Sequence, residues 1–150
     1  MATRTLCTVP AFVAMALAVI GAENLEAKDQ GLERFLWENR LVLSFAEDGS
    51  GENNARQRAE RDAARSAWAE RDLLLIEISA GTVRIDGMTA PRIDAAVLRN
   101  RYDVPAGRFT AILIGKDGGS KLRSRAPLTN PVLFGAIDSM PMRQNEMRRP

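Results

Sequence analysis

Side chains able to do covalent chemistry are scarce in this sequence. Its 150 residues include no histidine and a single cysteine, Cys7. The absent histidine excludes a Ser-His-Asp triad, and a lone thiol near the start of the chain cannot form a Cys-x-x-Cys pair for dithiol chemistry. We therefore expect neither catalytic residues nor a bound cofactor, and the sequence favours a non-enzymatic role.

A glycine-rich segment at Gly115–Lys121 (Gly-Lys-Asp-Gly-Gly-Ser-Lys) has the composition of a phosphate-binding loop. A Walker loop, however, needs Gly, four residues and then Gly-Lys-Ser/Thr at the start of a helix. Here the glycines follow the apolar run Phe109–Ile114 directly. Asp-Gly and Gly-Gly supply the positive φ angles of a tight hairpin, so the segment predicts a turn between two antiparallel strands.

An acidic loop supplies one group of possible metal ligands, namely Glu47, Asp48, Glu52 and Asn53. Ca²⁺ takes oxygen ligands of this kind, but the spacing is not that of a calcium loop. A solvated loop is the simpler interpretation. An enzymatic or redox accessory role through this loop and Arg56 is the alternative.

Methionines near the end of the chain supply a second group, Met140, Met142 and Met147. Thioether sulfur is a ligand that Cu(I) selects, although methionine at a helix end usually fills space in a core. We predict no metal site, and copper handling is a further alternative.

The first 22 residues have the pattern of a secretory signal peptide. Arg4 supplies a positive charge, residues 6–20 are uncharged and mostly apolar, and Ile20-Gly21-Ala22 offers small residues for cleavage. The apolar run is shorter than the roughly 20 residues that a bilayer span needs. We therefore expect cleavage, no stable membrane anchor afterwards, and a periplasmic or secreted protein with a single domain over residues 23–150.

Composition limits the class of partner. The sequence is 45% apolar and 27% charged, as expected for a globular domain, and its net charge is +2. Loss of Arg4 with the signal leaves a charge near +1. Nucleic-acid binding is not expected, because basic residues are dispersed and aromatic residues make up only 5%. The expected partner is a protein or small molecule that the sequence does not name.

The pattern of apolar and polar residues predicts a mixed sheet with helices on both faces. The predicted helices cover 31–40, 53–70, 91–102 and 130–140, and the predicted strands cover 41–45, 73–78, 83–87, 109–114 and 121–128. A helical crossover makes the first two strands parallel, and the last hairpin is antiparallel. This order, β-α-β-α-β-β-α, is that of a thioredoxin-like α/β fold.

The same pattern gives three local predictions. Alanines spaced four apart should give the helix over 53–70 a seam that packs on the sheet: Ala55, Ala59, Ala63 and Ala67. Asn130 should cap the last helix, with Pro131 at its first position. Residues 142–150 should form a loose polar tail.

Three segments together resemble a known family: Leu32–Arg40, Gly115–Lys121 and Ile137–Arg143. They resemble the DUDES-type domain of unknown function (domain-of-unknown-function family 4174) over about residues 31–147. That domain occurs in exported bacterial proteins and in vertebrate extracellular proteins with sushi repeats. The resemblance implies export and a thioredoxin-like fold, and it implies no established activity, cofactor or catalytic residue.

Two features of thioredoxin-type oxidoreductases are missing from the sequence. The loop Ala46 to Asn53 after the first strand has no cysteine, and Arg108-Phe109 stands where those enzymes place a cis-proline. We therefore predict a non-catalytic binding or interaction module. A redox-related or metal-binding (Ca or Cu) accessory protein of the cell envelope is the alternative.

In a thioredoxin-like arrangement, Arg40, the Lys116-Asp117 turn and Met140–Arg143 should converge at the sheet end opposite the loop that follows the first strand. We predict that Asp117 pairs there with Arg40 or Arg143. A structural clasp is the favoured interpretation of this convergence, and a binding site is the alternative.

Overall fold

The structure, a computed structural model, describes residues 31–46 and 51–149. Its strands are β1 (Arg40–Phe45), β2 (Leu73–Ser79), β3 (Thr82–Ile85), β4 (Met88–Thr89), β5 (Thr110–Ile114) and β6 (Ser120–Ser124). Its helices are α1 (Glu52–Ala63), α2 (Arg65–Glu70), α3 (Ala95–Arg101), α4 (Asn130–Asp138) and α5 (Pro141–Arg148), and a 3₁₀ turn at Glu33–Phe35 precedes β1. Within the described ranges, no helix is both long enough and apolar enough to cross a bilayer. The predicted signal peptide lies outside them.

The strands form one mixed sheet in the order β4-β3-β2-β1-β5-β6. β1 and β2 are parallel, with Leu41 opposite Leu74, and the other neighbouring strands are antiparallel. Every residue of β1 and β5 is buried, as expected for apolar strands in the middle of a covered sheet. The predicted mixed α/β class is confirmed, and so is the hairpin that joins β5 to β6.

Apolar side chains fill both faces of the sheet. Because neighbouring residues of a strand point to opposite faces, Val42 and Leu43 belong to different cores. Leu43 packs in the core that includes Leu98 of α3. Val42 packs in the core that includes Trp68 of α2 and Leu133 of α4. Helices therefore cover both faces, as the sequence predicted.

The helix predicted over 53–70 is two helices, and its predicted alanine seam is wrong. The chain leaves helical geometry at Ala64, where φ is −138°. The buried face carries the larger side chains of Asn54, Gln57 and Trp68. The three seam alanines of α1 are instead exposed: Ala55, Ala59 and Ala63.

Hydrogen bonds explain why larger, partly polar side chains occupy this buried face. The Gln57 amide donates to the Leu128 carbonyl at 2.9 Å and accepts from the Leu128 N–H at 2.7 Å. The Trp68 indole donates to Asn130 Oδ1 at 2.7 Å. A buried polar group with its partners in place avoids the cost of desolvation without compensation. Tryptophan also buries far more apolar surface than alanine.

Two boundaries in the second half differ from the prediction. The helix expected from Pro91 begins at Ala95, because Asp94 caps it by accepting from the Ala96 N–H at 2.8 Å. The last strand ends at Ser124 rather than at Leu128.

The end of the chain is also more ordered than predicted. α4 begins at Asn130 itself, and Thr129 occupies the capping position. The Asn130 side chain binds Trp68 and is not the cap. Beyond Ser139 the chain forms α5 instead of a loose tail, with Pro141 in its first turn. Proline is favourable there because the first helical residues need no N–H donor.

Candidate functional site

Three segments meet at the sheet end where β1 begins, namely β1, the β5–β6 turn and the start of α5. A cleft of about 450 Å³ lies between them. Its lining includes Arg40, Lys116, Asp117, Lys121, Met140 and Met142. The predicted convergence is therefore confirmed, and we call this the clasp-end cleft.

The β5–β6 turn is fixed by its own backbone and by the segment before β1. The Gly115 N–H donates to the Gly119 carbonyl at 2.9 Å, and the Lys116 carbonyl accepts from the Trp37 N–H at 2.7 Å. Gly118 has a φ of +77°, a left-handed conformation that glycine adopts without steric cost. These contacts hold the backbone of Lys116 beside the start of β1.

Glu146 of α5 connects β1 to this turn. Arg40, whose side chain is 1% exposed, donates to its carboxylate at 3.2 Å. The Lys116 ammonium lies 2.8 Å from the same carboxylate and 2.8 Å from Asp72. Burial disfavours the charged form of Glu146, but the hydrogen bonds from Lys116 and Arg40 outweigh burial, so the pKa of Glu146 lies below its ordinary value.

Arg143, also in α5, connects this helix to the ends of α2 and α4. Its guanidinium lies 2.6 Å from the Glu70 carboxylate and 3.4 Å from the Asp138 carboxylate. Arg71 pairs with the same Asp138 at 2.7 Å. The hydrogen bond from Arg71, supported by Arg143, keeps the pKa of Asp138 below its ordinary value despite partial burial.

Arg143 also lies 3.7 Å from Glu146, so these side chains form one network with equal numbers of opposite charges, which we call the charge clasp: Arg40, Arg71, Lys116 and Arg143 with Glu70, Asp72, Asp138 and Glu146. Its central acid, Glu146, is ionised and held by cations, so it is poorly placed to donate a proton in catalysis. The geometry is that of a structural clasp, which holds α5 against the sheet and the hairpin turn.

The predicted pairing of Asp117 with Arg40 or Arg143 is wrong. The Asp117 carboxylate accepts from Lys121 at 2.7 Å and from the Gly119 N–H at 3.1 Å. These two bonds keep its pKa below the ordinary value. Asp117 is thus satisfied within its own turn, and Arg40 and Arg143 bind other acids.

A second cleft lies at the other end of the sheet, and the sequence reasoning missed it. It occupies about 460 Å³ between the loop that leads into β5 and the end of β6. Arg108, Arg123 and Arg125 line it together with Asp103. Because β5 and β6 are antiparallel, the chain before β5 lies beside the end of β6. The predicted β5–β6 hairpin could therefore have shown that these arginines lie close together. We call this the basic cleft.

Polar side chains are also buried beneath α1, where β1 and β2 end. The Ser44 hydroxyl donates to Asn54 Oδ1 at 2.6 Å, and Arg58 donates to the Glu77 carboxylate at 2.5 Å. Glu77 is 3% exposed, so Arg58 supplies the counter-charge that a buried carboxylate needs. These bonds fasten the first turns of α1 to the sheet.

The family model described as Domain of unknown function (DUF4174) matches residues 31–146. The chain belongs to this family. A search of curated proteins and a search of solved structures each give no match. The matched residues run from the segment before β1 to Glu146, so the charge clasp and both clefts lie within the DUF4174 domain.

The candidate calcium ligands are only partly described. Glu47 and Asp48 lie outside the described residues, and Glu52 pairs with Arg56 at 2.6 Å. Within 31–46 and 51–149, no group of three or more His, Cys, Asp or Glu side chains is arranged to hold a metal ion.

The candidate copper ligands of the DUF4174 domain are divided. Met140 and Met142 line the clasp-end cleft. Met147, on the last turns of α5, is 51% exposed and is not part of that lining. The structure therefore brings two of the three predicted thioethers together.

Proposed function

We propose that this DUF4174 protein is an exported, thioredoxin-like binding module that performs no thiol chemistry. It acts in the periplasm or outside the cell, on a protein or small-molecule partner. The observation that carries the proposal is the absence of cysteine from every position after Cys7. A thioredoxin-like domain without thiols retains the surfaces of its fold and loses the group that does the redox chemistry.

The strand arrangement supports the thioredoxin-like assignment. The middle of the sheet reads β2-β1-β5-β6, with β1 and β2 parallel and β5 antiparallel to β1. A helical crossover joins the parallel pair, a hairpin joins β5 to β6, and α4 follows. The short β3 and β4 extend the sheet beyond β2. We infer the thioredoxin-like fold from this middle part of the sheet and its connections.

The loop after β1 supports the non-catalytic role. In thioredoxin-type enzymes the reactive thiol follows this strand, at the start of a helix that lowers its pKa. Here the corresponding positions run from Ala46 to Glu52 at the start of α1 and hold no thiol.

Export is tested by recovering the protein from a bacterial host that carries the full chain. We expect the protein outside the cytoplasm, with an intact mass that begins at Glu23. Leu17→Arg interrupts the apolar run and should leave the uncleaved chain in the cytoplasm. Recovery of the unchanged wild-type chain in the cytoplasm would contradict export.

Thiol chemistry is tested by insulin reduction with dithiothreitol and by peroxide consumption. With the purified protein, both rates should equal the rate without protein, whereas an added thioredoxin should accelerate insulin reduction. A rate increase that follows protein concentration would overturn the non-catalytic assignment.

Cu(I) handling is a second candidate, because Met140 and Met142 share the clasp-end cleft. It ranks below the first, since the third methionine, Met147, is not part of that lining. Cu(I) binding that is lost in a Met140→Leu/Met142→Leu variant and kept in Met88→Leu, an exposed methionine elsewhere, would favour it.

A further inference from the structure

The basic cleft differs from its surroundings in how its arginines are held. Its entrance is formed by the loop before β5 and by the end of β6, and its lining includes Pro105, Phe109 and Thr110. A volume of about 460 Å³ is of the size that small-molecule sites occupy. The cleft is therefore large enough for an organic ligand.

Arg123 is fixed in place without being neutralised. Its two terminal nitrogens donate to the backbone carbonyls of Tyr102 at 2.8 Å and Asp103 at 2.6 Å. A carbonyl oxygen accepts hydrogen bonds but carries no formal charge, so the guanidinium keeps its full positive charge. The bonds hold this charge at a defined place beside the cleft.

Arg108 and Arg125 bring two more guanidinium groups to the same lining. Both side chains are exposed, and neither forms an ion pair or hydrogen bond within the part of the chain that the structure describes. Asp103 is the acid in the lining. The lining therefore holds three cations and one anion, a net charge of +2.

Hydroxyl groups and apolar surface complete the cleft. Thr110 and Ser124 line it, and Ser124 Oγ accepts from the Ala126 N–H at 3.0 Å, which leaves its own proton available to a ligand. Phe109 and Pro105 provide apolar contact for a carbon skeleton. The cleft thus offers cations to the charged groups of a ligand and apolar surface to the carbon skeleton between them.

We propose that the basic cleft binds a small anion that carries at least two oxyanion groups, either carboxylate or phosphate. Arginine's planar fork matches the oxygens of both groups, and charge-assisted hydrogen bonds of this kind are stronger than neutral ones. The guanidinium groups of Arg108 and Arg125, which have no ion-pair partner among the described residues, can each bind one such oxyanion group. This inference rests on the proposed binding role and names its ligand class, and it does not depend on export.

The test is calorimetric titration of the purified protein with citrate and, separately, with pyrophosphate, at low ionic strength. Binding of citrate alone identifies a carboxylate ligand, binding of pyrophosphate alone identifies a phosphate ligand, and either supports the proposal. The double variant Arg108→Ala/Arg125→Ala should lose affinity by about tenfold or more, because charged hydrogen bonds are removed. Arg84→Ala, an exposed arginine on β3 across the sheet, should change affinity by less than about twofold.

Both arginines of the double variant are exposed, so its thermal unfolding should match that of the wild type. Two outcomes overturn the proposal: neither probe binds the wild type, or the double variant binds as tightly as the wild type does. Neither outcome bears on export or on thiol chemistry, which are measured by intact mass and by insulin reduction.

Discussion

The two ends of the sheet use positive charge differently. At the start of β1, each cation of the charge clasp is at most 13% exposed and lies within ion-pair distance of a carboxylate. At the start of β5, Arg123 is held by carbonyls, and Arg108 and Arg125 face an open cleft. Buried cations that form ion pairs stabilise a fold. Cations that are held in position without a carboxylate partner are available to a ligand. We infer a structural role for the first end, and the second end is the one for which we propose ligand binding.

Removal of Arg40 should give the largest effect on stability. Arg40→Ala takes the buried partner from Glu146 and leaves a cavity beside it, since Arg40 is 1% exposed. Glu146 keeps its pair with Lys116, so the expected loss is that of the Arg40 hydrogen bonds and packing, about 2 kcal/mol, and urea unfolding measures it. Arg56→Ala removes an exposed pair with Glu52 and should cost under about 0.5 kcal/mol. Equal losses for the two variants would mean that the charge clasp contributes no more than a surface ion pair.

The second-largest effect on stability should come from acid, which weakens the charge clasp. The pKa values of Glu146 and Asp138 are lowered in the folded protein relative to the unfolded chain. Their stabilising contribution is therefore complete above their unfolded pKa values, about 4, and is lost as the pH falls from there through the lower folded values. Unfolding free energy measured from pH 7 to pH 3 should decrease, and the Glu146→Gln/Asp138→Asn variant should show a shallower slope. An unchanged slope would contradict the assigned pairs.

Asp117 should give the smallest effect, although it lines the same cleft as Arg40. Asp117→Ala removes the bonds with Lys121 and Gly119, which are local and partly exposed. The expected loss of unfolding free energy is about 0.5 kcal/mol. The matched variant Glu146→Ala should lose clearly more in the same urea assay. A larger loss for Asp117→Ala would place the stabilising interactions in the turn rather than in α5.

The strands were predictable because their signal is local. Residues 41–45, 73–78 and 109–114 are apolar runs bounded by polar or glycine-rich segments, and the structure places strands at each within a residue or so. The hairpin followed from Asp117-Gly118-Gly119, where a left-handed backbone is needed. These features depend on a few neighbouring residues.

The predictions that were wrong concern contacts between residues that are far apart in the sequence. Gln57 and Trp68 face the core because Leu128 and Asn130 supply their hydrogen-bond partners, and nothing in the spacing of α1 shows those partners. α5 was missed because its sequence is polar, and its buried residue is a charged one, Arg143, which depends on Glu70 and Asp138.

The candidate site was predictable in place and not in detail. The assumed thioredoxin-like arrangement predicted that Arg40, the β5–β6 turn and Met140 lie at one end of the sheet, and the structure brings them together there. Which acid binds which cation depends on reach within ångströms: Asp117 binds Lys121, whereas Arg40 binds Glu146 and Arg143 binds Glu70. The basic cleft combines Arg123 with carbonyls of the loop before β5, a contact that no sequence pattern marks.

The most direct test is to map the binding of citrate and pyrophosphate onto the protein by two-dimensional NMR of the ¹⁵N-labelled chain. The account predicts that amide signals of residues 103–110 and 120–126 shift with ligand concentration, while those of Arg40, Lys116 and Arg143 stay in place. Shifts centred on the charge clasp, or no shifts with either anion, would contradict the division between a structural end and a binding end.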